Sequence, residues 1–420
     1  MKKFTIILLA VFGMFLSAQT QYTWMEVYNT TDGSALTSID FLDAENGIAV
    51  GANGTVVSTD DGGETWETLN TGYDTDFEGV KYVAQDTIII VGYGGTILRT
   101  TNGGIMWGSI DNPGNNAILY DIDIDSASGS GLIAGSGNLL MWTEDVGASW
   151  EFIDGGYMNN YYGAFMANSD FGIVVGRNAI FQPLLGYTQN GGDSWSYQPI
   201  YPVFGTTAVE ATGYDAYFFN ADDGFIAGST WNGSGFVTNE VNWGSDGWQA
   251  TELEQPIYAI DFANDNLGVV AGWLGYMAET HNGGATWTQV TTMANREPGK
   301  FNDAKLFETT GYAVTENGVV FKKISTTNVG EGPNPVKEFM IYPNPADEGF
   351  TSLHLMMNRK TEIAVNVMDM TGRNVMKMKS FDVNQGGEKI RLNTSNLKTG
   401  VYLVVVNAGD YNLSEKLAVR

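Results

Sequence analysis

Three aspartates recur at one position of the chain's strand-like segments, where carboxylates could perform acid–base chemistry. Asp40, Asp123 and Asp261 each stand between two large apolar residues. Such alternation of apolar and polar residues indicates strands with one buried face. Two carboxylates flanking a glycosidic bond can hydrolyse it, one as acid and the other as base or nucleophile. Because these aspartates repeat, we expect them to be structural, and a glycosidase using two of the many acids remains the alternative.

A second acidic pattern, Asp121-x-Asp123-x-Asp125, begins like a calcium-binding loop. An EF-hand has glycine at its sixth position and glutamate at its twelfth, where this chain has Ser126 and Leu132. The pattern therefore excludes an EF-hand and leaves a looser oxygen-ligand calcium site open. We predict no other cofactor, and with two histidines in the chain a histidine-based metal site is not expected.

These residues must be positioned by a repeat that runs through most of the chain. The pattern Thr-x-Asp-x-Gly-x-Thr-Trp, or a close variant, occurs five times, and a worn copy ends at Trp248. Its polar and tryptophan positions are Asp61 and Trp66, Asn102 and Trp107, Asp145 and Trp150, Asn190 and Trp195, and Asn282 and Trp287. A period near 40 residues with four short strands per unit is typical of a β-propeller.

Each copy of the pattern has the chemistry of a tight turn. The Asp or Asn can accept a hydrogen bond from the backbone two residues on, and the paired glycines allow positive φ. The tryptophan then begins a strand and fastens the hairpin to its blade. The five copies resemble the Asp-box, or BNR, repeat of sialidases, other propeller glycosidases, sortilin-type receptors and photosystem II assembly-factor-like proteins. The resemblance implies a propeller and names no function.

The number of blades follows from the tryptophan spacing. Tyr22–Val27 resembles the strand after each box, although no box precedes it, and residues 311–323 resemble middle strands with no tryptophan after them. Counting Trp24 gives seven strand starts. We therefore predict an all-β protein with a seven-bladed Asp-box propeller over residues 19–325, closed by its own first strand.

Sialidase activity is not expected. Sialidases need three arginines around the substrate carboxylate, together with a tyrosine–glutamate pair, and they begin with a Phe-Arg-Ile-Pro segment that this chain lacks. Only Arg99, Arg177 and Arg296 lie between residues 19 and 333, and Arg99 directly precedes a box.

One rim of the predicted propeller differs most from blade to blade. The turns between second and third strands, and the connections between blades, open on the face opposite the boxes. These turns carry Ala52, Tyr93, Ser136, Arg177, Trp231, Trp273 and Glu316, and the connections add Tyr157, Tyr161, Tyr162 and Tyr201. Aromatic rings around a concave mouth suit stacking on a sugar or gripping a peptide. We predict that the ligand is bound by Tyr93, Tyr157, Tyr161, Arg177, Trp231 and Trp273.

Charge and composition restrict the partners. Residues 19–333 contain 39 acidic and 8 basic residues, a formal charge of −31, so neither nucleic acid nor an anionic membrane is expected as a partner. Residues 1–18 have the lysines, apolar run and small residues of a signal peptide, and no later segment is long enough to span a membrane in the mature chain. The chain has no cysteine, which excludes disulfides and thiol catalysis.

The last part of the chain loses the repeat after a linker at residues 326–336. Residues 337–420 have strand patterns at Glu362–Met368, Lys389–Leu392, Gly400–Asn407 and Ser414–Val419, which predict a small β-sandwich. Four of its motifs, Tyr342–Pro345, Asp369–Arg373, Leu397–Tyr402 and Glu415–Arg420, resemble the C-terminal sorting domain of type IX secretion substrates. The resemblance implies that an outer-membrane secretion machine reads residues 337–420 and that the cargo is released or tethered at the cell surface.

These patterns together predict a secreted or cell-surface binding protein without catalysis, whose rim holds a glycan or extracellular protein ligand. A propeller-type glycoside hydrolase is the first alternative, and a scaffold or assembly factor is the second. An unrepeated pair of carboxylates on the rim would favour the enzyme. A broad aromatic rim without such a pair would favour binding.

Overall fold

The structure is a computed structural model, and it describes residues 22–113, 116–154, 160–178, 183–204, 207–220, 223–238, 248–290, 292–293, 299–325, 336–347, 349–369, 373–377, 380–408 and 411–419. The predicted signal peptide, all of the predicted linker except Val336, and the worn box before Trp248 lie outside these residues.

Tyr22–Ser325 form one compact unit made of seven sheets, which are the blades of a propeller. The all-β class and the seven blades are therefore confirmed. From the channel outwards, blade 1 has strands Leu36–Phe41, Gly47–Gly51, Val56–Thr59 and Glu67–Thr68. Blade 2 has Phe77–Ala84, Thr87–Gly92, Ile97–Thr100 and Gly108–Ser109. Blade 3 has Leu119–Ile124, Gly131–Gly135, Leu139–Thr143 and Glu151–Asp154.

Blades 4 to 7 follow the same order, and two of them carry additional strands. Blade 4 has Asn160–Met166, Gly172–Arg177, Pro183–Thr188 and Ser196–Pro199. Blade 5 has Ala211–Asn220, Asp223–Thr230, Gly235–Thr238 and Trp248–Leu253, extended by Pro202–Phe204 and Thr207–Ala208. Blade 6 has Ile257–Phe262, Gly268–Gly272, Met277–Thr280 and Thr288–Gln289. Blade 7 has Phe301–Leu306, Gly311–Thr315, Val319–Ser325, Tyr22–Asn29 and Thr292–Met293.

The first strand of the chain closes the ring. Tyr22–Asn29 pairs antiparallel with Val319–Ser325, so that Tyr22 lies opposite Ser325. Trp24 on this strand is fully buried, and its indole N–H donates a hydrogen bond of 2.7 Å to the carboxylate of Glu279 in blade 6. The ammonium of Lys323, also buried, lies 2.9 Å from the other oxygen of that carboxylate. A buried hydrogen bond therefore joins the closing strand to blade 6, next to a buried ion pair between blades 7 and 6.

The core of the propeller lies between the blades. Seven clusters of buried apolar side chains each combine residues of two neighbouring blades. In every cluster the tryptophan of a blade's outer strand packs against the preceding blade, and these residues are Trp24, Trp66, Trp107, Trp150, Trp195, Trp248 and Trp287. The repeated tryptophan therefore fastens blade to blade, as well as its own hairpin to the sheet.

The boxes form one repeated hydrogen-bonded turn. In the first, the Thr59 hydroxyl donates to Asp61 and accepts from the N–H of Gly63, and both Gly62 and Gly63 have positive φ. Asp61 accepts a hydrogen bond from the N–H of Thr65, four residues on, so our expectation of a bond two residues on is wrong. The glycines open the turn far enough for the carboxylate to reach the start of the next strand.

The second compact unit contains a curled sheet. Its strands are Val336–Asp347, Phe350–Met357, Thr361–Asp369, Asn374–Lys377, Phe381–Val383, Gly386–Asn393, Gly400–Ala408 and Tyr411–Val419. The long strand Val336–Asp347 pairs with Phe350–Met357 along most of its length and with Tyr411–Val419 at Ala346, so it belongs to both halves of the sheet. The two halves enclose one apolar core, and the four predicted strands all lie within observed ones.

Two sorting-domain motifs are joined by hydrogen bonds within this sheet. The side-chain amide of Asn344, in the first motif, donates to the carbonyl of Lys416, and its oxygen accepts from the N–H of Ala418. The first motif is thereby fixed against the last strand of the domain.

Candidate functional site at the channel mouth

The inner strands of the seven blades surround a cavity of about 680 Å³. In each inner strand the pairing register shifts near the start, as at a β-bulge, after Leu36, Phe77, Leu119, Tyr161, Gly213, Ile257 and Phe301. Because the bulge recurs, the residues that follow form three levels around the cavity. The mouth level contains Thr37, Glu78, Tyr120, Tyr162, Tyr214, Tyr258 and Asn302, all of which line the cavity.

Four consecutive blades place a tyrosine at the mouth level. Ring centroids are 5.5 Å apart between Tyr120 and Tyr162, 5.7 Å between Tyr162 and Tyr214, and 4.7 Å between Tyr214 and Tyr258. Trp273, from the turn of blade 6, continues the series at 6.4 Å from Tyr258. We call these five residues the aromatic arc. The arc covers the mouth along blades 3 to 6.

Charged groups flank the aromatic arc. The Arg177 guanidinium lies 5.5 Å from the Tyr162 ring centre, and the Lys300 ammonium lies 4.7 Å from that of Tyr258. Both distances fit cation–π contacts. Burial lowers the pKa of Lys300, and burial together with the neighbouring Asp76 raises the pKa of Glu78 to about 7. The mouth therefore combines an aromatic side with a charged side.

The middle level carries three aspartates that bind the next blade. Asp121 accepts a hydrogen bond of 2.8 Å from the N–H of Ala164, and Asp215 accepts one of 2.9 Å from that of Ile260. Asp303 accepts from the N–H and hydroxyl groups of blade 1. Burial raises the pKa of Asp121 to about 7, of Asp303 to about 6 and of Asp215 well above its usual value, and repulsion from nearby carboxylates adds to each shift: Asp303 acts on Asp121 and Asp215, and Asp40 acts on Asp303.

The lower level is a ring of alternating charges. Its members are Asp40, Lys81, Asp123, Phe165, Tyr217, Asp261 and Lys305. Lys81 lies 2.7 Å from Asp123 and 3.7 Å from Asp40, and Lys305 lies 3.7 Å from Asp261 and 3.9 Å from Asp40. The two ammonium groups therefore neutralise most of the charge of the three carboxylates at this level.

The recurring aspartates of the sequence are structural links. Asp40, Asp123 and Asp261 accept hydrogen bonds of 2.8, 2.7 and 2.6 Å from backbone N–H groups of the following blade. Asp125, the last residue of the calcium-like pattern, accepts from the backbone of its own turn at Ala127. Within the described residues, no three acidic or histidine side chains are grouped so as to hold a metal ion.

The residues predicted for the rim fall into different environments. Tyr93 is 41% exposed, and burial together with nearby Glu78 raises the pKa of its hydroxyl. Trp273 is itself part of the aromatic arc, and Arg177 contacts the arc at Tyr162. Trp231 is 81% exposed and lines a separate surface pocket of about 290 Å³ with Glu210 and Thr212.

One tyrosine of the predicted set, Tyr161, does not reach the mouth. Tyr161 is fully buried between blades 3 and 4, and its neighbour Tyr162 faces the cavity instead. The bulge after Tyr161 is responsible, because it changes which residue of the strand points inward. Tyr157 lies outside the described residues.

Tyr120, Tyr214 and Tyr258 were not identified from the sequence. They occupy strands, whereas the prediction considered turns and connections. The available signal was the alignment of the inner strands, in which Tyr120 and Tyr258 each stand three residues before a recurring aspartate, Asp123 or Asp261. No local sequence motif indicates the bulge that turns these tyrosines towards the mouth.

Comparisons with known proteins agree with this architecture. Residues 16–113 match the family model of the photosynthesis system II assembly factor YCF48, and residues 340–420 match that of the secretion system C-terminal sorting domain. No curated protein matches the chain. No helix in the described ranges is long and apolar enough to cross a membrane.

Solved structures share the propeller. A structure of YCF48 bound to D1 peptide is 20% identical, with a TM-score of 0.55, and the match covers 72% of this chain and 97% of that one. YCF48 from Cyanidioschyzon merolae is also 20% identical, with a TM-score of 0.56 and coverages of 73% and 100%. The WD40 propeller domain of Doa1 is 10% identical, with a TM-score of 0.58 and coverages of 74% and 98%. At these identities the likeness shows the fold alone.

The sorting domain indicates that the protein interacts with the secretion machinery and that it is located at the cell surface or in the extracellular space. The chain combines an Asp-box β-propeller, whose first part at residues 16–113 matches the YCF48 family model, with a C-terminal type IX secretion sorting domain.

Proposed function

We propose that the protein is a non-catalytic binding protein of the cell surface or extracellular space, and that the aromatic arc at the channel mouth holds a glycan or protein ligand. The observation that carries this proposal is the run of four tyrosines on adjacent inner strands, which ends at Trp273 and opens on a cavity of about 680 Å³. Aromatic side chains supply large contact areas at a small cost in conformational entropy.

The channel acids support binding over catalysis. The middle-level and lower-level aspartates accept backbone hydrogen bonds from the neighbouring blade, so each of them links two blades. A glycosidase needs two carboxyl groups free to face one scissile bond. The YCF48 structure with a bound D1 peptide adds that a propeller of this fold can hold a peptide.

Arrays of glycans and of peptides, probed with the purified full chain, test the proposal. The same wells are assayed for released reducing sugar. We expect retention without product, lost in the double variant Tyr214→Ala/Trp273→Ala and kept in Phe152→Ala, which removes an exposed ring from an outer strand. Released sugar, or retention that ignores the arc variants, would contradict the proposal.

A further inference from the structure

The shape of the aromatic arc indicates how a ligand enters. Successive ring planes are inclined by 53°, 53° and 32° along the four tyrosines, as expected for a wall that curves around the channel axis. A flat platform would need nearly parallel rings. The arc therefore suits a slender group inserted along the axis better than a broad surface laid across the mouth.

The ring faces of the arc already receive cations. Lys300 and Arg177, from blades 7 and 4, place an ammonium and a guanidinium over Tyr258 and Tyr162. Aromatic faces attract cations because the ring quadrupole is negative above its plane. One guanidinium and one ammonium therefore already lie against this wall.

The cavity is lined by more acidic than basic side chains. Nine acidic residues and three lysines line it. Lys81 and Lys305 are paired with lower-level aspartates, and Lys300 remains at the mouth. In the part of the chain that the structure describes, no lysine or arginine forms an ion pair with the middle-level residues Asp121, Asp215 and Asp303.

These features together identify a chemical class of ligand. We propose that the channel receives a lysine or arginine side chain carried by an extended peptide segment, with its stem against the aromatic arc and its charge at the middle-level aspartates. The inference rests on the proposed function and names the ligand of the same site. The formal charge of −31 between residues 19 and 333 would steer a basic segment to the propeller.

Three matched peptides test the inference by calorimetry with the full chain. The first alternates glycine and lysine, the second carries acetylated lysine at the same positions, and the third carries glutamate. We expect the lysine peptide to bind at least about tenfold more tightly than the acetylated one, since acetylation removes the charge and preserves the stem. The glutamate peptide should not bind.

Variants locate the binding. Tyr214→Ala should weaken binding of the lysine peptide about tenfold, whereas Tyr214→Phe, which keeps the ring, should bind it as the parent protein does. Asp215→Asn should also weaken binding of the lysine peptide, although it leaves the aromatic arc unchanged. A thermal midpoint close to that of the parent protein shows that each variant is folded. Phe152→Ala, which removes an exposed ring from an outer strand, serves as the surface control and should bind normally.

The outcomes separate the two proposals. Equal binding of the acetylated peptide, preferred binding of the glutamate peptide, indifference to Tyr214→Ala or no binding of the lysine peptide would each overturn the inference. If the arrays then yield a neutral glycan or acidic peptide whose binding depends on Tyr214, the proposed function stands and only the inference of a basic ligand fails. If no array ligand depends on the arc, both fail.

Discussion

Aspartates of the boxes and aspartates of the channel have pKa values that are shifted in opposite directions. Asp61 lies at the exposed box face, where hydrogen bonds from the hydroxyl and N–H of Thr65 lower its pKa to about 2. Asp121 also accepts two backbone N–H groups, but burial raises its pKa to about 7. Hydrogen bonds alone therefore do not set the charge, and solvent decides the sign of the shift.

The box face and the channel use the repeat in different ways. At the box face, Thr59, Asp61 and Thr65 hydrogen-bond to one another or to the backbone of the same turn, so these polar groups are satisfied locally. In the channel, the acids are linked to the next blade and yet lack a cation at the middle level. Repeated positions supply the fold, while positions that vary among blades supply the mouth and its chemistry.

We expect the largest effect on stability at the buried ion pair between Lys323 and Glu279, which joins blade 7 to blade 6. Blade 7 has no box of its own. Lys323→Met should lower the free energy of unfolding by about 3–5 kcal/mol, because it leaves the Glu279 carboxylate buried without its cation. Urea denaturation measures the loss. The exposed pair partner Lys360, replaced by methionine in the second unit, is the control and should change stability little.

Stability should fall as the pH rises from about 5 to 8. The folded-state pKa values of Asp121, Asp303 and Glu78 are raised to about 7, 6 and 7, so the folded protein binds more protons than the unfolded chain in this range. The stabilisation is present at the low end and is lost through the folded pKa values, by on the order of 3 kcal/mol.

Thermal midpoints across this range measure the channel effect. Asp121→Asn should make the dependence shallower. The lowered pKa of Asp61 acts in the opposite direction and only below about pH 4, the usual range of an aspartate, so it leaves this window unaffected. A midpoint that rises between pH 5 and pH 8 would contradict the assignment of raised pKa values to the channel.

A box variant should affect stability without affecting binding. Thr100 is buried, donates to Asn102 and accepts from the N–H of Gly104. Thr100→Val keeps the shape and leaves these groups without a partner, at a cost of about 2 kcal/mol. Denaturant titration measures the change, and retention of the array ligands by this variant sharpens the contrast with the mouth.

The smallest effect on stability is expected at the aromatic arc. Tyr214→Ala removes a ring from the cavity wall, outside the apolar clusters between blades, and should change the free energy of unfolding by less than about 1 kcal/mol. The same variant should abolish arc-dependent ligand retention. A large loss of stability would show that the arc serves the fold instead.

The fold was accessible from the sequence because its determinants are local. Box turns depend on residues within eight positions, and one tryptophan per blade sets the count, including Trp24 at the closure. The mouth depends on how strands are aligned around an axis. Because of the bulge after Tyr161, Tyr162 faces the cavity in its place. Tyr120, Tyr214 and Tyr258 belong to different blades, and they lie near the other rings of the arc only once the blades are assembled. No short-range pattern encodes that meeting.

The pairing of Tyr22 with Ser325 also determines an order of events. The stretch of propeller that is synthesised first belongs to the blade that is finished last, so the ring stays open until Val319–Ser325 is available. Closing such a long loop carries an entropic cost that short-range contacts do not have. A chain destined for export is thereby kept from locking into its final form while its later part is still being made.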